Sequence, residues 1–282
     1  MISLFMLRKY IAILLFMLPV IQITAQEDAQ SDAENQRIRL KLEKRNRINE
    51  MIRNEEEGFP AFKKQFTFQV KSSHDGFGAI LEKGWTKSPY KLNFLQLELS
   101  SKRHEKEQRV RYPYNAGYYV YESPAVVYGK QNNFYQVKLN FGKQVLIGGK
   151  SNKNGVGVYF NYAVGFSAGL IRPYYLDYYD TARNVLVPLK YQESQKEKFL
   201  FEPLIYGGTG LKYGWNEMTF VPGFHAKTSL RFDWARFNQV ISALEFGFEF
   251  DYFAQKVVQM VDNPGRNFFP TGYVALVFGN RK

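Results

Sequence analysis

The stretch from Asn154 to Ile171 constrains the fold of this chain more than any other. Val156, Val158, Phe160, Tyr162, Val164, Phe166, Ala168 and Leu170 fall on one side of it, and Gly155, Gly157, Tyr159, Asn161, Ala163, Gly165, Ser167 and Gly169 on the other. A period of two belongs to a strand. A helix would scatter the small residues round its cylinder, and the glycines would weaken it further. A bulky apolar face set against a small-residue face predicts that the first meets lipid and the second a narrow lumen. At about 3.3 Å per residue the stretch reaches roughly 60 Å, whereas a tilted membrane-spanning strand needs only about 9 to 11 residues. The strand is therefore expected to overshoot the bilayer.

The same rhythm recurs along the chain and predicts an all-β transmembrane barrel of eight antiparallel up-and-down strands. The strands are read at Phe66 to Lys71, from Phe77 to about Trp85, Asn93 to Ser101, Phe134 to Gly142, the stretch above, Phe224 to Trp234, Leu244 to Tyr252, and Gly272 to Phe278. Short polar turns separate some of them, such as His74-Asp75-Gly76. Long connections follow the third strand (Lys102 to Gln131) and the fifth (Arg172 to about Trp215), as expected if both face the cell exterior and the short turns face the periplasm. A ten-strand alternative places a further hairpin at Asn184 to Tyr191 and Phe199 to Tyr206, above the membrane.

Residues 1–25 read as a secretory signal, with Arg8 and Lys9 ahead of an apolar run from Tyr10 to Ile21 and an expected cleavage after Ala25. That apolar run is too short to span a bilayer as a helix. Residues 26–60 form a charged periplasmic helix and linker, with Ile38, Leu42, Ile48, Met51 and Ile52 as its thin apolar stripe, ended by Gly58-Phe59-Pro60. Residues 61–282 form the barrel. The chain has no cysteine, which excludes disulfides and thiol chemistry, and 17% of its residues are aromatic, a high share that suits a lipid-facing barrel. Its formal net charge is +12. The basic residues are scattered and accompany no recognition motif, so nucleic acid is not expected as a partner. Outer-membrane lipid and lipopolysaccharide are, together with another envelope protein docking on residues 26–60 or on the long loops.

Alternation places Lys71, Lys138, Lys227 and Arg231 in the lumen with Glu82, Glu98, Glu245, Glu249 and Asp251. An eight-stranded barrel is just wide enough for side chains to fill, and buried charges need partners. Interlocked ion pairs that close the lumen are therefore expected, with a narrow channel as the alternative. His225 is placed in the lumen near Asp233 and Ser229, and His104 follows Ser100 and Ser101 into a long loop. Neither sits in a recognisable nucleophile, base and carboxylate arrangement, so an envelope-lipid hydrolase or acyltransferase ranks third. Tyr174, Tyr175, Tyr178 and Tyr179 form an extracellular aromatic cluster, read first as an interfacial girdle and second as a sugar-stacking surface. No cofactor is expected and no metal site: Asp177, Asp180 and Asp262-Asn263-Pro264-Gly265 lack the ligand spacing of a calcium loop. Gly207-Gly208-Thr209-Gly210 lacks the lysine and hydroxyl of a phosphate loop.

At Tyr128-Gly-Lys-Gln-Asn-Asn-Phe-Tyr135, Arg172-Pro-Tyr-Tyr-Leu176 and Val221-Pro-Gly-Phe-His-Ala-Lys227 the chain resembles poorly characterised outer-membrane β-barrel proteins of the Bacteroidota. The resemblance runs from about Lys64 to Lys282. It implies an integral outer-membrane location and brings no catalytic residues with it. The resulting expectation is a non-enzymatic barrel acting as a structural or accessory subunit of an envelope assembly.

Overall fold

The computed structural model describes residues 35–46, 62–88, 90–116, 118–150, 155–235 and 239–282. The chain divides into two units, Met1–Glu56 and Glu57–Lys282. In the first, residues 35–46 are an α-helix with every residue exposed, so the helix expected over 26–57 is present in its middle part. The signal segment and the remainder of that helix lie outside the described residues.

The second unit is a closed eight-stranded barrel. Its strands are β1 (Lys64–Ser73), β2 (Gly76–Ser88), β3 (Lys91–Lys102), β4 (Asn132–Gly148), β5 (Gly157–Pro173), β6 (Thr219–Asp233), β7 (Val240–Val257) and β8 (Arg266–Arg281). Each pairs antiparallel with its sequence neighbours, and β1 closes on β8 through pairs such as Phe68 with Phe278. Closure removes the unpaired edges that lipid could not satisfy. All eight predicted strands are present; the fifth runs over Gly157–Pro173 in place of Asn154 to Ile171, and the others are longer than their alternation alone suggested.

The faces of the barrel have the polarity that the sequence predicted. Phe166 is 69% exposed, Val164 65% and Phe248 64%, whereas Glu82, Lys138, Glu245 and Asp251 are 0% exposed. Charged interior and apolar exterior invert a soluble protein and define a barrel that crosses a bilayer. The band ends towards the short-turn rim with outward Lys83, Trp85, Lys143 and Trp234, residue types that suit headgroup depth. Inward glycines give the lumen its room. A Cβ on Gly165 would fall 2.1 Å from the Leu139 carbonyl oxygen, and one on Gly169 would lie 2.9 Å from the Phe253 ring.

The wall is uneven. β1, β2 and β3 have 10, 13 and 12 residues, while β4 to β8 have 15 to 18 and stand side by side. The opening stretch does overshoot, and it shares that excess with its neighbours.

Above the tall wall the long connections pack on one another. Tyr175–Asp180 pairs with Val185–Lys190 and with Ile205–Gly208 in a three-stranded sheet. The further hairpin expected between Asn184 to Tyr191 and Phe199 to Tyr206 does not form: Val185–Lys190 and Ile205–Gly208 flank Tyr175–Asp180 on either side, and Phe199 and Leu200 end a short helix. A small apolar core of Val126, Val127, Tyr174, Leu176, Tyr178, Leu189, Phe199, Ile205 and Val261 draws three loops into one cap. Backbone bonds from Gln131 N to Gln259 O and from Val261 N to Gly129 O tie it together.

Candidate functional site

The nine charged residues predicted for the lumen all point into it, none more than 4% exposed. Strand alternation puts them on the inner face, and barrel closure brings them within bonding distance. They sort into two tiers. In the lower, Arg231 on β6 donates to both oxygens of Glu82 on β2, at 3.0 and 2.8 Å, and through Nε to Glu245 on β7 at 2.8 Å. In the ring of strands β2 and β6 lie opposite each other, so this one guanidinium spans the lumen. Gln65, Gln69 and Gln96 donate to Glu82, and Ser229, Asn161 and Tyr273 to Glu245. Each carboxylate thus has hydrogen-bond donors as well as a counter-charge, which a buried ion needs.

The upper tier is a lattice. Lys71 lies 2.5 Å from Glu98 and 2.8 Å from Glu249, and Lys138 lies 2.9 Å from Asp251 and 3.3 Å from both Glu98 and Glu249. Sequence reasoning missed Lys102, which donates to Asp75 at 2.8 Å and also to Thr271, at the low rim above this tier. It missed as well the lower closure of Asp233 by Arg281 at 2.7 Å and by Lys150 at 3.5 Å. Those residues sit at strand ends or in turns, where alternation fades and cannot report facing. With them the lumen holds, among the described residues, seven cations (Lys71, Lys102, Lys138, Lys150, Lys227, Arg231 and Arg281) and seven carboxylates (Asp75, Glu82, Glu98, Asp233, Glu245, Glu249 and Asp251). Lys227 differs from the others. Its Nζ makes no hydrogen bond and lies 5.7 Å from the Tyr273 ring centre.

Apolar side chains close both ends of the charged column. Phe134, Val221, Phe253, Val257 and Phe269 fill the mouth below the cap, with the Phe134 and Phe253 rings 5.2 Å apart edge to face. Leu92, Phe94 and Ala163 pack with Phe62 at the short-turn end.

No family model matches the chain, and no curated protein matches it. Among solved structures it is similar to Neisserial surface protein A, at 9% identity over 78% of this chain and 94% of that one, with a TM-score of 0.36. It is also similar to Ail, the attachment invasion locus protein of Yersinia pestis, in complex with the heparin analogue sucrose octasulfate: 8% identity, 78% and 95% coverage, TM-score 0.34. At this level the likeness carries no argument, and the barrel assignment rests on closure and polarity.

The remaining sequence candidates are placed as follows. His225 does face the lumen, but its Nδ1 bonds Asp251 at 2.7 Å, not Asp233, and Ser229 donates to Glu245. Asp251 is β7's register partner of His225, whereas Asp233 lies further down β6 itself. His104 sits in the loop after β3, where burial and the nearby Arg266 hold its pKa below the ordinary value. Glu98, His225 and Glu249 could offer ligand atoms within 4.8 Å of one another. Lys71 and Lys138 hold Glu98 Oε1 and Glu249 Oε2, while Glu98 Oε2, Glu249 Oε1 and His225 Nε2 have no hydrogen-bond partner. The tyrosine cluster is not an interfacial girdle. Tyr174 and Tyr178 are buried in the cap core, and Tyr175 and Tyr179 lie on the opposite face of the cap sheet, where Tyr175 donates to Glu217.

Proposed function

We propose that this chain is an integral outer-membrane barrel of the Bacteroidota kind that neither conducts nor catalyses, and serves as a structural or accessory subunit presenting its cap to an envelope partner. The observation that carries the reading is Arg231, which reaches across the whole lumen to Glu82 and holds Glu245 on the way. An open pore would need that brace and the aromatic mouth above it to part together. The cap, by contrast, displays Val185, Leu186 and Phe201, each about half exposed, beyond the membrane band. On this reading the short turns face the periplasm, and the charged helix at 35–46 is a second contact for the assembly.

The accessory role is tested by placing a photo-crosslinking amino acid at Leu186 or Phe201 and irradiating native membranes. An adduct of one defined mass, common to both positions, is expected. Irradiation that yields only uncrosslinked barrel at both positions overturns the role.

A further inference from the structure

At the long-loop rim, between the ends of β3, β4 and β5 and the cap, lies a cavity of about 300 Å³, at the lower end of the range for small-ligand sites. Lys102, Arg103, Arg109, Lys130 and Arg172 line it; Lys102 is held by Asp75 from the lumen side, and the one lining carboxylate, Glu107, lies 2.8 Å from Lys130. Arg103 and Arg109 form no ion pair among the described residues. Arg172 is the most telling. It is 2% exposed, its Nη2 donates to the Gly210 carbonyl at 3.1 Å, and its Nε and Nη1 have no partner.

A buried guanidinium with idle donors costs free energy unless an acceptor arrives. Asn133, the register partner of Arg172, also has an unpartnered Nδ2. The guanidinium is held in place from outside by aromatic rings: its carbon lies 4.7 Å from the Trp215 ring centre and 5.8 Å from that of Tyr135. Burial, together with the charges of Arg103 and Arg109, holds the Lys130 pKa below its ordinary value even with Glu107 beside it. The local potential is thus positive and uncompensated, unlike that of the lumen.

We infer that this cavity is a binding site for a tetrahedral oxyanion, a phosphate or sulfate monoester carried on a sugar. Three equivalent oxygens match fork-shaped donors converging from Arg172 and its neighbours. Tyr135 points outward from the wall beside the site, at the upper edge of the apolar band, so the anion can come either from a glycolipid headgroup in the outer leaflet or from a soluble acidic glycan. The inference deepens the membrane-barrel reading without depending on its accessory role, because the cavity is complete in a single chain.

The full chain, folded in zwitterionic detergent, is titrated calorimetrically with sodium sulfate at low ionic strength. In parallel it is inserted into phosphatidylcholine nanodiscs containing monophosphoryl lipid A, and the retained lipid A is counted. Sulfate is expected to bind at one site, weakened about tenfold or more in Arg172→Gln and severalfold in Arg109→Gln. Arg109 is exposed, so that variant reads the site even where Arg172→Gln fails to fold. Arg111→Gln, which removes an exposed pair with Glu122, should leave binding unchanged. Lipid A retention lost in the same variants identifies the glycolipid source, and retention unaffected while sulfate binding falls identifies a soluble glycan. No sulfate binding by the folded wild type, or equal weakening by Arg111→Gln, overturns the site. Because Lys130 titrates below its ordinary value of 10.5 and sulfate does not titrate, affinity should fall as pH rises through the lowered pKa, and be fully present below it.

Discussion

The lumen and the rim cavity are both built from arginine, lysine and carboxylates, yet they balance their charges differently. Among the described residues of the lumen seven cations meet seven carboxylates, and Arg231 holds two of these in charge-assisted bonds of 2.8 to 3.0 Å. At the rim, beyond Lys102, which the lumen carboxylate Asp75 holds, Arg103, Arg109, Lys130 and Arg172 share the one lining carboxylate, and a 2%-exposed arginine keeps two nitrogens unpartnered. Compensation of charge within the protein makes a column that holds strands together. Deficit makes a place where something from outside completes the structure.

Breaking the compensated side should cost most. Arg231→Met leaves Glu82 and Glu245 buried without a counter-charge and is expected to destabilise the barrel by about 3–5 kcal/mol, read as a lower urea midpoint in lipid vesicles. Lys227→Met removes a lumen cation that makes no hydrogen bond and lies over Tyr273. Its cost should be about 1 kcal/mol, and a loss as large as that of Arg231→Met would show that charge count, not bonding geometry, holds the lumen. The smallest effect is a gain. Asn133→Asp supplies the rim with a carboxylate opposite Arg172 and should stabilise by about 0.2–1 kcal/mol while abolishing sulfate binding, measured by the same midpoint and by calorimetry.

Alternation made the barrel legible. From Gly157 to Gly169 it separates lipid face from lumen face residue by residue, and the nine charges it assigns to the lumen are all buried. It failed where the backbone stops alternating. Lys102 and Arg281 end their strands, Asp75 and Lys150 sit in turns, and none advertises its facing. The cap was hidden for another reason. Tyr174 to Tyr179 read as an interfacial girdle because tyrosine suits both a headgroup layer and a small core, and only the pairing of Tyr175–Asp180 with two later segments decides between them. The rim site had no sequence signature, since Arg103, Arg109 and Lys130 are spread through one long connection and Arg172 begins the other, and only folding brings them together.

The central claim, that the lumen is closed by its own side chains, is tested most directly by the conductance of the purified full chain in planar phosphatidylcholine bilayers. Wild-type barrel is expected to give no ohmic steps above the bare bilayer at any holding potential the membrane withstands. Regular, ion-selective steps from wild-type protein, altered by Lys227→Ala or Glu249→Ala, would contradict the closed lumen and make this barrel a channel.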